Sequence, residues 1–466
     1  MDYRHLSQEI LNRGKEKMED LEVFIQNNKQ IEIRTFNGEV DKYSISESGG
    51  LSLRGIAHGK MGYSYTEKLD ESSIDMLIEE AYENSKYIDS PDKEIIFEGS
   101  YKYEEIQQNT SNLSNIAAEE KIQFLLDLEK EALTMDNRVA SVQASAYQEF
   151  QSERYIMNTK GVDLADNSTG AFAYISVIVK DGEDTKTGLS YRIFNDFKEV
   201  DYKEMAKEAV EEGISMLGAS SIKSDTYPII FKNTVFADIL AAFGSIFSAD
   251  QVQKGLSLLK DKVGEKIATD IFTVVEDPFL LDGFYSRAFD DEGHKTIYKK
   301  IIDKGVLKTY LYNLKTANKD GVESTGNGNR GSYKSPVTIA PTNVYIEKGD
   351  KSLEDLISTI DKGVYIISVQ GLHSGLNQVS GDYSLSAYGY EIENGKIKRP
   401  VDQITIAGNF FETLMDIEAI GNDLEFSIPM FGYIGSPSIK VKKMSVSVIL
   451  ITSLCLFLTV FYEEGI

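Results

Sequence analysis

The residues from 233 to 264 constrain the fold most, because a strong helical period there coincides with a lack of reactive side chains. Large apolar residues recur at three- and four-residue spacing, namely Phe236, Leu240, Phe243 and Phe247. This spacing predicts a helix with one deeply buried face. Ser248 with Gln251 three residues later forms a capping-box pattern, so we expect a second helix to begin there.

The predicted second helix has an apolar inner face and carries no obvious chemistry. Its inner face would consist of Val252, Leu256 and Leu259. Its polar side chains are those of Gln251, Gln253, Lys254 and Ser257. None of these is a usual metal ligand, and none can carry out hydrolysis. We therefore expect the second half of the chain to be built around a central helix pair without a reactive group.

The remaining pattern predicts an α+β protein. Strand-like runs lie at 21–26, 30–36, 40–47, 50–57, 60–65, 140–159 and 172–179. Turn signals at 27–28, 37–38, 49–50 and 58–59 separate the first five. Helices are expected over 1–20, from a cap at Asp70 to 81, over 117–135, and after Asp201, where Glu204 completes an N-cap pattern. The short spacing of the first strands favours an antiparallel sheet.

The domain boundaries follow from changes in composition. Residues 219–226 are small and polar, so we expect an N-terminal α+β domain at 1–222 with packed helices on its antiparallel sheet. A β-rich domain at 223–444 would follow, with a helix at 353–360 and hairpins at 303–305, 394–395 and 421–422. With 41% hydrophobic residues in 466, each domain can bury a core.

The C-terminal tail, 445–466, has a different character. Residues 445–462 carry no charge and are rich in Val, Ile, Leu, Phe and Thr, after lysines at 440, 442 and 443 and before two glutamates. A membrane span needs about 20 apolar residues, so the length is borderline. Three interpretations remain open: a buried strand in a subunit interface, a C-terminal anchor, or an aberrant end of the reading frame. We favour a soluble protein without a membrane.

Charge and cysteine content exclude several function classes. The formal net charge is -25, from 49 basic and 74 acidic residues, so a nucleic-acid backbone would be repelled and we expect no nucleic-acid partner. The single cysteine, Cys455, excludes an intrachain disulfide and a zinc site made of several thiolates. The opening residues lack an apolar run behind a positive start, so we expect no signal peptide and a cytoplasmic location.

Several short motifs, in order, identify a family resemblance. They are GGLSLRG at 49–55, FDDEG at 289–293, GVLKTYL at 305–311, STGN at 324–327, GDYS at 381–384 and IAGN at 406–409. Each is weak alone, but together they make the chain from about Leu21 to Met444 resemble the TldD/PmbA family. Its members are described as modulators of DNA gyrase and as metallopeptidases.

The resemblance also implies which branch of the family is the nearer one. One branch carries a His-Glu-x-x-x-His helix and a distant Cys that bind a catalytic metal. The other, the PmbA (TldE) branch, lacks these residues and is similar to a partner subunit. Here the positions of the metal helix are occupied by Gln251 to Gly255. We therefore expect no metal, no other cofactor and no catalytic residue in this chain, with zinc held by a metal-bearing partner.

Two polar loops supply the candidate contacts to a substrate or partner. The glycine-rich loop contains Thr325, Gly326, Asn327 and Arg330, whose donors could hold a peptide carbonyl or carboxylate. The second loop contains His373 and Asn377 and resembles a loop near the family's active cleft. For both loops, a plain structural role is the alternative.

The acidic turn from 290 to 294 is a further motif with two interpretations. It places three carboxylates beside His294. Paired carboxylates can share a proton or hold a hard cation, but a charged hairpin turn is favoured because Gly293 precedes a strand-like run. The other histidines, His5, His58 and His373, lie too far apart in sequence to form a short-spaced metal pair.

Two hypotheses of different classes follow. The first is a metal-free subunit of a cytoplasmic peptidase complex that processes unfolded peptides, with a TldD-like catalytic subunit as partner. The second is a homodimer that captures peptides without cleaving them. Co-purification with a His-Glu-x-x-x-His homologue separates the two. Independent hydrolysis by this chain through an unrecognised site is a third, weaker interpretation.

Overall fold

The first half of the protein is one long antiparallel sheet. The computed structural model describes residues 2–89, 92–100, 102–106, 111–281, 283–429 and 432–449. The strands of this sheet are β1 (Asp20–Phe36), β2 (Glu39–Ala57), β3 (Lys60–Thr66), β4 (Val139–Asn158), β5 (Asp163–Asp181) and β6 (Asp184–Phe194). They lie in the order β3-β2-β1-β4-β5-β6, and every neighbouring pair is antiparallel.

Four helices cover one face of this sheet. They are α1 (Tyr3–Gly14), α2 (Ile74–Ser85), α3 (Ala118–Met135) and α4 (Tyr202–Ser215). Because side chains alternate along a strand, Leu21, Val23 and Ile25 of β1 pack under the helices. Phe24, between them, packs instead against Phe289 of the second half. The alternation thus assigns one face to the helices and the other to the second half.

Two predicted turns in this sheet are wrong. β1 runs through Asn27 and Asn28 without a break, and β2 runs through Gly49 and Gly50. Pairing of β1 with both β2 and β4 holds these residues extended and overrides their local turn preference. A Cβ on Gly50 would lie 2.2 Å from the Tyr333 ring, so this glycine permits close approach of the second half. The hairpin turns at 37–38 and 58–59 are confirmed.

The second half combines two mixed sheets with short helices. Its strands are β7 (Asp225–Phe231), β8 (Val274–Glu276), β9 (Lys299–Asp303), β10 (Val306–Leu307), β11 (Gly328–Asn329), β12 (Thr338–Ile339), β13 (Asn343–Ile346), β14 (Lys362–Gln370), β15 (Asp382–Glu393), β16 (Lys396–Asn409), β17 (Ile417–Ile420), β18 (Glu425–Phe426), β19 (Tyr433–Ser436) and β20 (Ile439–Val448). One sheet has the order β16-β15-β14-β7-β20-β17, and β16 also pairs with β20, which closes it into a barrel-like ring. The other has the order β10-β9-β8-β13-β19-β18, and β11 pairs with β12.

The helices of the second half are α5 (Asn233–Phe243), α6 (Ala249–Gln253), α7 (Leu314–Asp320), α8 (Leu353–Ser358) and α9 (Phe410–Met415). The predicted buried face of α5 is confirmed, because Phe236, Leu240 and Phe243 lie in the main core. Phe243 stacks on Phe410 of α9 with 4.4 Å between ring centroids. Burial of each such side chain contributes about 1.5–3 kcal/mol. The α+β class and the β-rich second half are therefore as predicted.

The predicted second helix is much shorter than expected. α6 ends after five residues, and Gly255 has a φ of 73° that stops the helix. Ser248 makes no side-chain cap hydrogen bond. Leu256 is 44% exposed, whereas Val252 and Leu259 are buried. The helical spacing was therefore misleading beyond Gln253, because buried loop residues imitate a helix face.

Of the three hairpins predicted in the second half, two are present in the structure and one is not. The hairpins at 303–305 and 394–395 are confirmed as the β9–β10 and β15–β16 turns. The expected hairpin at 421–422 is wrong, since β17 pairs with β20 and β18 pairs with β19.

Residues 445–448 of the tail belong to β20, and its residues from 450 onward lie outside the described residues. Among the described helices, none is long and apolar enough to cross a membrane.

Candidate functional site

A cleft of about 1500 Å³ opens between the two halves of the protein. One wall is the sheet face that α1–α4 leave uncovered, with Gln26, Ser152 and Arg154 on it. Gln26 of β1 lies opposite Arg154 of β4 in the strand register, which brings both side chains to the same face. The volume exceeds that of an ordinary small-molecule pocket, so the cleft is large enough for a chain segment.

Helix α5, one loop and the end of β14 form the opposite wall. The cleft-facing residues of α5 and its continuation include Thr234, Asp238, Ala241, Ala242 and Ser245. Their three- and four-residue spacing is the same period that buries Phe236 and Phe243 on the other side. The loop at 371–379 and the end of β14 complete this wall. The sequence pattern that packs the core thus also aims one helix face at the cleft.

Asp238 is the charged residue on that helix face. Burial raises its pKa to about 6, and a hydrogen bond from Ser427 offsets part of the rise. Nearby Glu212, on α4, forms an ion pair with Lys232 at 3.5 Å. Burial also raises the pKa of Glu212, and Lys232 offsets part of that effect. This end of the cleft is therefore acidic.

A buried network of ion pairs, which borders the cleft at Arg330, joins the two halves. Arg54 Nε lies 2.7 Å from Glu22, and its Nη1 lies 3.2 Å from Glu292 of the second half. Arg330 of the second half donates to Glu22 and, at 3.1 Å, to Ser52. All four charged side chains are at most 5% exposed. The halves are thus held by charges that neutralise each other.

The acidic turn at 290–294 lies inside this network. Asp290 accepts hydrogen bonds from the backbone N–H groups of Glu292, His294 and Gly328. Asp291 lies 2.9 Å from Arg154 and 3.3 Å from Arg287. The sequence pattern favours a charged hairpin turn here. The geometry is a tight turn at Gly293, with a φ of 78°, but its carboxylates are buried.

The three carboxylates of the turn differ in their pKa. Burial raises the pKa of Asp290, and burial together with the Asp290 charge raises that of Glu292. Burial opposes ionisation of Asp291 too, but the guanidinium groups of Arg287 and Arg154 hold its pKa below the ordinary value. Burial lowers the pKa of His294, whose ring packs against Phe97. The buried contacts of the three carboxylates and of His294 therefore indicate a structural role for the turn.

The structure separates the candidate contact residues into two sets. Arg330, His373 and Asn377 line the cleft. Asn377 also holds its own loop, because its side chain accepts from the N–H groups of Val379 and Ser380. Thr325, Gly326 and Asn327 lie behind the cleft wall, where Thr325 accepts from the Tyr312 N–H and Asn327 donates to Glu276.

Gly326 in the second set has a specific backbone requirement. Its φ is 71°, and a Cβ there would lie 2.4 Å from the carbonyl oxygen of Lys295. Sequence reasoning passed over Arg154, Tyr191, Lys232 and Asp238 as cleft residues. For Asp238 a signal was available, because it is a lone carboxylate within the apolar period of α5.

The donors around α6 do not fit a catalytic metal. Asp250 forms an ion pair with Lys254 at 2.7 Å, and Gln253 donates to the Thr316 carbonyl. Gln251 and Gly255 supply no imidazole or thiolate. Over the described parts of the chain, no three His, Cys, Asp or Glu side chains are grouped so that they could hold a metal.

Comparisons with known proteins find relatives along most of the chain. Three family models match in succession: PmbA/TldA metallopeptidase domain 1 at 21–85, the central domain at 111–217 and the C-terminal domain at 224–448. An uncharacterised protein of Methanocaldococcus jannaschii is 29% identical over 441 residues, which cover 93% of this chain and 98% of that protein. Metalloprotease PmbA of Escherichia coli O157:H7 is 25% identical over 417 residues, covering 88% and 89%.

Solved structures of similar proteins also match this chain along most of its length. A structure described as a putative modulator of a DNA gyrase, from Thermotoga maritima, matches with a TM-score of 0.88 at 32% identity. That match covers 96% of this chain and 100% of the other. TldE from Thermococcus kodakarensis matches with a TM-score of 0.87 at 24% identity, covering 95% and 100%, and shows the shared fold.

Proposed function

Because this chain belongs to the PmbA/TldD metallopeptidase family, we propose that it is a subunit of a cytoplasmic peptidase complex that binds peptide but no metal. Its relatives include proteins named metalloprotease TldD homologue and metalloprotease PmbA. The proposal is supported by a cleft large enough for a peptide segment, together with side chains around α6 that do not suit zinc. The partner would supply the metal and the water that it activates.

The cleft offers backbone groups to an extended peptide. β7 pairs with β14 only at 364–366, so one edge of β14 beyond Ile366 has no strand partner among the described residues. Ile367, Ser368 and Val369 on this segment line the cleft. An extended peptide can add to such an edge through main-chain hydrogen bonds. This would bind unfolded peptides of varied sequence, with side-chain contacts from the cleft walls.

The acidic surface argues against direct contact with nucleic acid. With a formal net charge of -25, the chain lacks the basic surface that phosphate backbones require. A link to DNA gyrase, as in the description of one relative, would then act through a peptide or protein.

Mixing the purified chain with a His-Glu-x-x-x-His homologue tests the proposal. We expect the two to elute together on size-exclusion chromatography and to cleave an unfolded peptide that this chain alone leaves intact. A variant of the homologue with its metal-binding histidines replaced is the matched control and should assemble without cleaving. If this chain forms only homodimers and binds peptides while the homologue neither joins it nor gains activity, the peptide-capture alternative replaces the proposal.

A further inference from the structure

Asp238 occupies a prominent position on the wall of the cleft. It lies in the middle of α5, between the cleft residues Thr234 and Ala241. The other cleft-facing residues of this helix and its continuation are small, apolar or hydroxylic. A carboxylate here projects into a space that no other charge of α5 fills.

Lys232, which lines the cleft, and Arg192, next to the cleft residue Tyr191, are both paired with glutamates. Lys232 pairs with Glu212 at 3.5 Å, and Arg192 pairs with Glu208 at 2.6 Å. No lysine, arginine or histidine of the described residues forms an ion pair with Asp238. The group that lowers its pKa is the Ser427 hydroxyl, which also donates to the Ile434 carbonyl at 3.4 Å. A hydroxyl supplies no positive charge, so the carboxylate is left without compensation.

An uncompensated carboxylate in a partly buried position carries a free-energy cost. Burial raises the pKa of Asp238 to about 6, so at neutral pH the group is still mostly ionised. A ligand that brings a positive charge would remove much of this cost, and the ion pair formed would be stronger than one in water. Aromatic faces around the cleft, including Tyr191 and Tyr388, also suit a cationic group.

We propose that Asp238 is a recognition residue for a cationic nitrogen of the bound peptide, either its α-ammonium group or a basic side chain. The inference rests on the proposed peptide-binding function and specifies its substrate class. The residue lies on a rigid helix with a buried opposite face, so it would hold the cation at a fixed place in the cleft. Peptides that lack a positive charge would bind through the backbone alone.

A set of four matched peptides tests the inference by fluorescence anisotropy. Each is a short alanine–serine peptide with the fluorophore at its C-terminus: one with a free amino terminus, one acetylated, one acetylated with an internal lysine, and one acetylated with norleucine in place of that lysine. We expect at least one cationic peptide to bind the wild-type chain about tenfold more tightly than its neutral counterpart. The free amino terminus and the lysine distinguish the two sources of the cation.

The Asp238→Asn variant should remove this preference and leave the neutral peptides unaffected. Asp250→Asn is the matched control, because Asp250 lies on the neighbouring α6, pairs with Lys254 and does not line the cleft. The comparison of peptides on the wild-type chain stands even if the variant fails to fold. Equal binding of cationic and neutral peptides would overturn the inference and leave the proposed function intact. Absence of binding by every peptide, with or without the metal-bearing homologue, would overturn both.

Discussion

The junction of the two halves and the α5 wall of the cleft differ in how their charged side chains are paired. At the junction of the halves, Glu22, Arg54, Glu292 and Arg330 saturate one another with ion pairs and hydrogen bonds. On α5, Asp238 has only a hydroxyl partner. In both places the contacting residues come from distant parts of the chain. The paired charges of the junction hold the two halves together, and the unpaired Asp238 is the observation behind the proposed recognition of a cationic peptide group.

We therefore expect substitutions in the junction to lower the free energy of unfolding more than substitutions elsewhere. Replacing Arg54 by Leu would leave Glu292 buried without its guanidinium and Glu22 with one partner fewer. We expect the free energy of unfolding to fall by about 3–5 kcal/mol, the usual effect of breaking a buried pair. Urea unfolding monitored by circular dichroism measures this.

A surface arginine provides the control for that experiment. Arg138 pairs with Asp136 on the protein surface, and Arg138→Leu should leave the unfolding midpoint unchanged. If both variants unfold at the wild-type urea concentration, the junction does not contribute as described.

The pH dependence of stability should show that Glu292, in the junction, binds a proton in the folded state. The pKa of Glu292 is raised in the folded protein, so the folded state binds its proton more tightly than the unfolded state. Its contribution to stability is present at low pH and is lost as the pH rises from the ordinary glutamate value to the raised one. Glu292→Gln should therefore make the protein relatively more stable, by about 1–2 kcal/mol, at pH 8 than at pH 5, when each is compared with wild type.

Groups remote from Glu292 titrate alike in both proteins, so this difference reports Glu292 together with the neighbours that its charge affects, Asp290 and His294. His294, whose pKa is lowered by burial and partly restored by the Glu292 charge, contributes in the opposite sense. Parallel stability curves for wild type and variant between pH 5 and 8 would show that Glu292 is ionised throughout, against this account.

A smaller effect is expected at Arg287. Its contacts to Asp291 and the Gly328 carbonyl are both long, at 3.3 Å, and its Nε has no hydrogen-bond partner. Asp291 would keep Arg154 and the Arg330 N–H after Arg287→Gln. We therefore expect a loss of only about 1 kcal/mol in thermal or urea unfolding. A loss as large as that of Arg54→Leu would place Arg287 among the main contacts of the junction.

The smallest effect on stability should be at Asp238, and it should have the opposite sign. Asp238→Asn removes a desolvated charge that has no cationic partner, so the free energy of unfolding should rise by about 1 kcal/mol while binding of cationic peptides weakens. A stability assay on the same preparations used for peptide binding checks both. Destabilisation of more than about 1 kcal/mol would mean that the carboxylate is structural, like those of the junction.

The sequence predicted local features better than those that depend on distant contacts. The periodicity of Phe236, Leu240 and Phe243 identified α5, since the helix and its buried face share one period. Turn propensity failed at Asn27 and Gly49, where pairing with neighbouring strands decides the conformation.

The candidate site shows the same limit. Arg330 was identified from its glycine-rich loop, but its partner Glu22 lies 308 residues away. The acidic turn was recognised as a motif, while its burial depends on Arg54 and Arg154 from the first half. Asp238 is visible in the sequence only as a charge among the apolar residues of α5, and its position on the cleft wall depends on the fold.

Metal content measured together with peptidase activity tests the central claim most directly. Elemental analysis of the full chain, after incubation with zinc and removal of free metal, should find far less than one equivalent, and the chain alone should not cleave an unfolded peptide. Adding the metal-bearing homologue should produce cleavage. One bound zinc per chain with peptidase activity in the absence of any partner would contradict the account and place a metal site among residues that show no such grouping here.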